Sequence, residues 1–345
     1  MPAPRSRKAP ASPASARSNW PPGSASWTAW ASATTGTETT DQPPPEGNGR
    51  MSTPIGIIGL GNAGASVCKA LLDKGQTVIG FDLSGERRRT AAGMGVTLAE
   101  SAADVAATCD RIILSLPKPE ASIAVVEEIL AAGHRPAIVI ETSTVTPATA
   151  IACHTRCKAE GVGFVDAAIA GGVASMAAAK ITFFLGGSPE EIALARPVLD
   201  LLAERIFELG PIGAGMGTKV VNNGVMHAVM VVLIEAFAMS TKLGVPVQTM
   251  VDILNREEGL LRPLVHRVQE RMADGNYEGG MSVSNARKDS VLALETAQNL
   301  GVPLFATLAS HTPYEIAEAK GMGDLDYAAL ATLWEDWSSL SFQKK

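Results

Sequence analysis

The sequence predicts a doubly wound α/β domain built on a mostly parallel sheet, followed by an all-α domain, with one long interdomain helix joining them. Three observations carry this expectation. Short apolar runs alternate with helical stretches from Ile55 to about residue 212, the pattern of a parallel sheet covered on both faces. A glycine-rich turn, Gly59-Leu60-Gly61-Asn62-Ala63-Gly64, links the first such run to the first helical stretch. From Gly213 onward the apolar spacing is helical.

With 345 residues, 46% hydrophobic and 19% charged, the chain is long enough for two domains with substantial cores. A formal net charge of -6 argues against nucleic-acid and membrane-surface partners, since both call for a cationic face. The cysteines at 68, 109, 153 and 157 do not resemble a secreted disulfide framework in a chain of this size. A cytoplasmic setting is therefore expected. Cys153, His154 and Cys157 lack the further ligands that a metal would need, so the expectation is two buried thiols, an exposed histidine and no metal.

Residues 1–50 are crowded with Pro, Ala, Ser and Thr and carry no apolar periodicity, which predicts a disordered extension. Met51 stands directly before the first strand and is the expected natural start. Ile55-Gly56-Ile57-Ile58 reads as that strand, the glycine-rich turn follows at once, and a helix runs through Leu71 and Leu72. Gln76 to Asp82 supplies a second strand ending in an acid. Strand before, helix after and an acid at the next strand's end make a dinucleotide-binding fingerprint of the Rossmann type. Gly59 makes the tight turn, Gly61 lets a pyrophosphate approach the helix N-terminus, and Gly64 allows close helix-strand packing. Asp82 comes 23 positions after Gly59, near the spacing of about 20 at which an acid binds the adenosine ribose. The expected cofactor is NAD, with NADP possible because Arg87, Arg88 and Arg89 stand on the next helix; their simpler reading is a solvated face.

Further strands are expected at Arg111 to Leu116, Ala137 to Ile140 and Val162 to Val165. Ligands in such sheets bind beyond the carboxyl ends of the strands, which puts Leu116-Pro117-Lys118-Pro119 and Glu141-Thr142-Ser143-Thr144 on the cofactor side. Ser143 and Thr144 offer hydroxyls to the cofactor, or one of them caps the helix after Pro147. Asp166-Ala167-Ala168-Ile169-Ala170-Gly171-Gly172 follows the next strand, and Gly171 and Gly172 can present backbone N–H groups to a small anionic substrate. Phe183 to Gly187 reads as a strand and Pro189 to Ala203 as a helix, and Gly210-Pro211-Ile212 closes a nucleotide-binding domain spanning 51–212.

The second domain, 213–345, opens with Gly213-Ala214-Gly215-Met216-Gly217-Thr218-Lys219-Val220-Val221-Asn222-Asn223. Lys219 and Asn223, four residues apart, share one helical face. The run from Val225 to Met239 is too apolar for a surface helix and shorter than the roughly 18 residues that span a bilayer, which predicts a buried core helix. Pro246 to Asn255, Leu264 to Met272, Ala286 to Leu300 and Leu304 to Lys320 favour helix as well. Lys288-Asp289 places a charged pair near the start of one of them.

Together, residues 54–335 resemble the β-hydroxyacid dehydrogenases, the group of 3-hydroxyisobutyrate dehydrogenases and tartronate semialdehyde reductases. Four blocks carry the likeness in order: 59–64, Asp166 to Gly172, Gly213 to Asn223, and Lys288-Asp289 followed by helix. The resemblance implies an NAD(P)-dependent oxidoreductase interconverting a small 3-hydroxy acid and its semialdehyde. It implies Lys219 as the catalytic lysine, Asn223 as a substrate-binding amide and Lys288 as a substrate-side and cofactor-side lysine. A homodimer or homotetramer formed through the helical domain is implied too. One block departs from the family's Asp-Ala-Pro-Val-Ser-Gly-Gly: Ala168 replaces proline and Ala170 replaces serine. The missing hydroxyl keeps imines and phosphorylated or sulfonated semialdehydes as alternative substrates. A non-catalytic binding module is a further alternative, against which the presence of Lys219 and Asn223 speaks. A phosphogluconate-type dehydrogenase shares the nucleotide half, but the C-terminal domain here looks too short for one.

Overall fold

The computed structural model describes residues 51–256 and 259–343. The extension expected over residues 1–50 lies outside them. By its contacts the chain divides into two compact units, one ending at Val220 and the other running from Val221 to Lys345.

In the first unit, strands and helices alternate: β1 (Ile55–Ile58), α1 (Asn62–Asp73), β2 (Val78–Phe81), α2 (Gly85–Gly93), β3 (Thr97–Leu98), α3 (Ala102–Thr108), β4 (Arg111–Leu114), α4 (Pro119–Ala131), β5 (Ile138–Glu141), α5 (Pro147–Ala159), β6 (Gly163–Ala170), α6 (Val173–Ala177), β7 (Ile181–Gly186), α7 (Pro189–Leu202) and β8 (Ala203–Glu208). They form an eight-stranded sheet of order β3-β2-β1-β4-β5-β6-β7-β8. Within this sheet, among the described residues, only the β6–β7 pair is antiparallel. Strand order reverses between β1 and β4, which opens a ligand crevice at their carboxyl ends.

Both faces of the sheet are covered, so its central strands are mostly apolar, with Glu141 of β5 and Asp166 of β6 as buried exceptions. Ile55, Ile57, Ile138 and Ile140 pack with Leu71 of α1 and Leu199 of α7. Ile58, Ile112, Leu114 and Phe164 pack on the other face with Val105 of α3, Val126 of α4 and Cys153 of α5. Helix starts follow local chemistry. Ser188 and Glu191 form a reciprocal capping box at α7, with Pro189 at the first turn. At α5 the cap is Thr146, whose hydroxyl accepts from the Thr149 N–H; neither Ser143 nor Thr144 caps this helix.

Three strand features went unread in the sequence. β3 is a two-residue, exposed edge strand, too short to show alternation. β8 begins directly where α7 ends, and its only fully apolar buried interior position is Ile206. β6 continues through Ala170 because its second half pairs antiparallel with β7, from Asp166 opposite Gly186 to Ala170 opposite Thr182.

The long helix α8 (Ala214–Lys242) runs through the division between the units. After it come α9 (Val247–Leu254), a π-helical segment (Leu264–Met272), α10 (Val283–Leu300), α11 (Phe305–Ala319), a 3-10 turn (Tyr327–Leu330) and α12 (Ala331–Ser338). Glu235 of α8 caps α11: its carboxylate accepts from the Phe305, Ala306 and Thr307 N–H groups and the Thr307 hydroxyl at 2.6–3.0 Å. Asp326, fully buried, accepts from the Ala328 N–H and lies 3.2 Å from Arg267.

One expectation is corrected here. α8 is not a buried core helix within the chain, because Val225 and Met226 are each 52% exposed and Met230 is 55% exposed. It is also longer than the apolar run suggested. At 29 residues, with a mean hydropathy of 1.7 over its most apolar window, α8 is by length and composition long and apolar enough to cross a membrane. Apolar composition records that a helix needs cover, and it does not name the cover.

Candidate functional site

The carboxyl ends of β1, β2 and β4 surround a cavity of about 990 Å³, lined by Gly59, Leu60, Gly61, Asn62, Ala63, Asp82, Leu116 and Pro117 together with Ser84, Arg87 and Lys118. The three fingerprint glycines differ in their reasons. Gly59 sits at φ +98°, and a Cβ there would lie 2.1 Å from the Ser115 carbonyl oxygen. A Cβ on Gly64 would lie 1.9 Å from the Gly59 carbonyl oxygen, so both glycines are demanded by the protein's own packing. Gly61 is different. The nearest atoms to a Cβ there belong to the Arg87 guanidinium at 3.9 Å, and no side chain caps α1. The open space faces the free N–H groups of a helix start, which suits the pyrophosphate of a dinucleotide.

Asp82 is buried beside this cradle. Its Oδ2 accepts from the Leu60 N–H and its Oδ1 from the Ser84 N–H, both at 2.8 Å. Each oxygen retains a lone pair for a ribose hydroxyl. Arg87 and Arg89 are exposed, as expected for a solvated face; from there Arg87 comes within 3.5 Å of Asp82 Oδ2, while Arg88, half-buried, pairs with Glu100.

Ser143 and Thr144 part ways. Ser143 is buried, and its hydroxyl accepts from the Leu116 N–H at 2.7 Å, tying the loop after β5 to the loop after β4. Thr144 is exposed. Below Ser143 lies Glu141, fully buried, whose Oε1 accepts from the Ser143 N–H at 2.8 Å. Among the described residues its other oxygen, Oε2, has no hydrogen-bond partner of good geometry, although the Ser122 hydroxyl is close enough to lower the carboxyl's affinity for a proton. Burial pushes the Glu141 carboxyl up to about 7, against the pull of its hydrogen bonds.

Asp166 pairs in register with Glu141 on the neighbouring strand. It is fully buried and accepts from the Gly213 N–H at 2.8 Å and the Met216 N–H at 2.7 Å. Burial pushes its carboxyl up to about 7, opposed by these two donors. Beyond the end of β6, Gly171 takes φ +140°, and a Cβ on Gly172 would meet nothing within 4 Å. Lys219 follows in the next turn of α8, partly buried, and burial lowers its ammonium from the ordinary 10.5. Asn223 stands one turn further along the same helix, and Lys288, on α10, pairs with Asp289 at 3.2 Å.

The four cysteines are buried thiols, each pushed up to about 12 by burial, which makes them poor nucleophiles. His154 is not exposed as expected: its Nε2 lies 2.9 Å from Glu191 Oε1, with only 17% of the side chain accessible.

A family model described as the NAD binding domain of 6-phosphogluconate dehydrogenase matches residues 54–213. Another, described as NAD-binding of NADP-dependent 3-hydroxyisobutyrate dehydrogenase, matches residues 213–334. A probable 3-hydroxyisobutyrate dehydrogenase of Mycobacterium bovis is 32% identical over 285 residues, covering 81% of this chain and 96% of that protein. The chain belongs to the β-hydroxyacid dehydrogenase family. A 2-(hydroxymethyl)glutarate dehydrogenase of Eubacterium barkeri is 29% identical over 84% of this chain and 97% of its own length. Among solved structures, the Mycobacterium tuberculosis 3-hydroxyisobutyrate dehydrogenase with L-serine has a TM-score of 0.58 at 31% identity, covering 82% of this chain and 99% of that one. An imine reductase from a Pseudomonas species superposes with a TM-score of 0.76 over 82% of this chain and 99% of that one, at 21% identity, which shows a shared fold alone.

This β-hydroxyacid dehydrogenase is thus an oxidoreductase that uses NAD(P). The glycine fingerprint, Asp82 and the loop at Leu116 and Pro117 gather around one cavity. The sequence puts Glu141 on the cofactor side and Asp166 in the substrate block, but it did not reveal that Glu141 is buried beneath Ser143 or that Asp166 caps the start of α8. The available signal was an ionisable residue at the end of an otherwise apolar strand, where an unpaired charge would be costly.

Proposed function

We propose that this β-hydroxyacid dehydrogenase interconverts a small 3-hydroxy acid and its semialdehyde, with Lys219 as general acid and base. The observation that carries this proposal is Lys219 itself: a partly buried cation one turn beyond a helix start, with its ammonium made easier to deprotonate by burial. When bound, the nicotinamide supplies or accepts the hydride. In reduction the Lys219 ammonium donates a proton to the carbonyl oxygen; in oxidation the neutral amine takes the hydroxyl proton. By the family correspondence, Asn223 orients the hydroxyl, and the Gly171 and Gly172 amides with Lys288 hold the acid group. Lys219→Ala is expected to lose at least about 100-fold in turnover while NADH binding is kept; a fully active variant contradicts the assignment.

Asp82 supports NAD over NADP, since a carboxylate repels a 2'-phosphate, while Arg87 beside it keeps NADP usable. Ala170, where the family carries serine, supports a second substrate class, an imine or a phosphorylated or sulfonated semialdehyde. The exposed apolar residues of α8 support a homodimer or homotetramer, and the four unpaired cysteines support a reducing, cytoplasmic setting. The domain boundary is proposed at residues 212/213, with residues 213–345 as the substrate and dimerisation part.

A further inference from the structure

We propose that Asp166 is a positioning residue for Lys219: its carboxylate locks the first turn of α8 onto β6 and so fixes where the lysine of the next turn is held. This rests on the assignment of Lys219 above. The Met216 N–H is one of the donors that a helix start leaves without an intrahelical partner, and the Gly213 N–H immediately precedes the helix. Asp166 accepts both, at 2.7 and 2.8 Å. Regular helix begins directly afterwards, with the Gly217 N–H bonded to the Gly213 carbonyl.

The surroundings leave this joint no slack. Gly213 takes φ +93°, and a Cβ on Gly215 would lie 2.3 Å from the Phe184 carbonyl oxygen and 2.7 Å from that of Asp166. A Cβ on Gly186 would lie 2.5 Å from Asp166 Oδ1. Met216, between the anchored turn and Lys219, is fully buried. Past Lys219 the helix loses this support, with Val220 48% and Val221 68% exposed. Lys219 is therefore placed by the anchored turn behind it. Asp166 also belongs to the strand that leads to Gly171 and Gly172, so one rigid link sets both the glycine pair and the lysine. Misplacement of a catalytic group by about 1 Å costs on the order of 100-fold in rate.

Asn at 166 keeps the size but accepts from one amide and turns an N–H toward the other. The test is Asp166→Asn in the full chain, assayed beside wild type and Lys219→Ala. The probes are 3-hydroxyisobutyrate with NAD and a panel of small semialdehydes carrying carboxylate, phosphate or sulfonate with NADH. Expected for Asp166→Asn are a fall in kcat of at least about 10-fold, an NADH Kd within about twofold of wild type, and faster hydrogen exchange confined to residues 213–219. A kcat within about twofold of wild type, with Lys219→Ala inactive, overturns the role of Asp166 and leaves Lys219 standing. An active Lys219→Ala overturns both. Unchanged exchange at 213–219 overturns the anchor whether or not any probe turns over. If Asp166→Asn does not fold, Asp166→Ser, with a smaller side chain and a single acceptor, is held to the same outcomes.

Discussion

The Ser143 hydroxyl accepts the Leu116 backbone N–H at 2.7 Å, and this one bond ties together two loops at the carboxyl ends of β4 and β5. Leu116 and Pro117 line the cavity at the carboxyl ends of β1, β2 and β4, whereas Ser143 is buried and does not line it. Ser143 therefore shapes the cradle.

Ser143→Ala should weaken NADH binding by about 3- to 10-fold, the effect of one lost hydrogen bond worth about 1 kcal/mol. Fluorescence titration of NADH measures it. An unchanged Kd would show that the loop holds its shape without Ser143.

Asp82→Ala should narrow any preference for NAD, because it removes the carboxylate proposed to bind the ribose and oppose a 2'-phosphate. Arg87→Ala should weaken NADP more than NAD. Both follow from the ratio of kcat/KM for the two cofactors at one ionic strength. An unaltered ratio in both variants would move the discrimination elsewhere.

The pH dependence of turnover has a fixed sign. Burial lowers Lys219 from 10.5, so the neutral amine needed for oxidation is reached at a lower pH than for a free lysine. Oxidation should rise with pH to a plateau through an apparent pKa below 10.5, and reduction should fall over the same interval. Rate profiles run in both directions check this, and a flat profile in both would exclude Lys219 as the proton carrier.

Glu141→Gln addresses stability. The folded-state value of about 7 lies above the ordinary 4.5, so the folded chain binds the proton more tightly. The stability from protonated Glu141 is full below about 4.5 and lost as pH rises through about 7. Glutamine removes that loss and should stabilise the protein by about 3 kcal/mol, as an order of magnitude, at pH 8 and little at pH 4. Denaturant unfolding at the two pH values measures the difference. Asp166, raised in the same direction, should preserve part of the slope.

The nucleotide half was legible because its signals are local: a strand, a glycine turn, a helix and an acid within about thirty residues. At Gly61 the sequence expects a ligand, and the structure leaves room there, with the Arg87 guanidinium 3.9 Å from where a Cβ would lie. What was hidden is non-local. Asp166 bonds Gly213 and Met216, 47 and 50 residues away, and no periodicity encodes such a pairing. Glu235 reaches Phe305 across 70 residues in the same manner. α8 was legible as a long apolar helix, but burial was inferred from composition, and its exposure depends on neighbours that the pattern does not specify.

The most direct measurement is steady-state turnover of wild type and Lys219→Ala on small semialdehydes carrying carboxylate, phosphate or sulfonate, with NADH and NADPH, and on the matching alcohols with NAD. The proposed mechanism predicts wild-type turnover on one acid class and a loss of at least about 100-fold in Lys219→Ala with NADH still bound. Full activity in Lys219→Ala, or NADH binding without turnover of any of these substrates by the wild type, would contradict it.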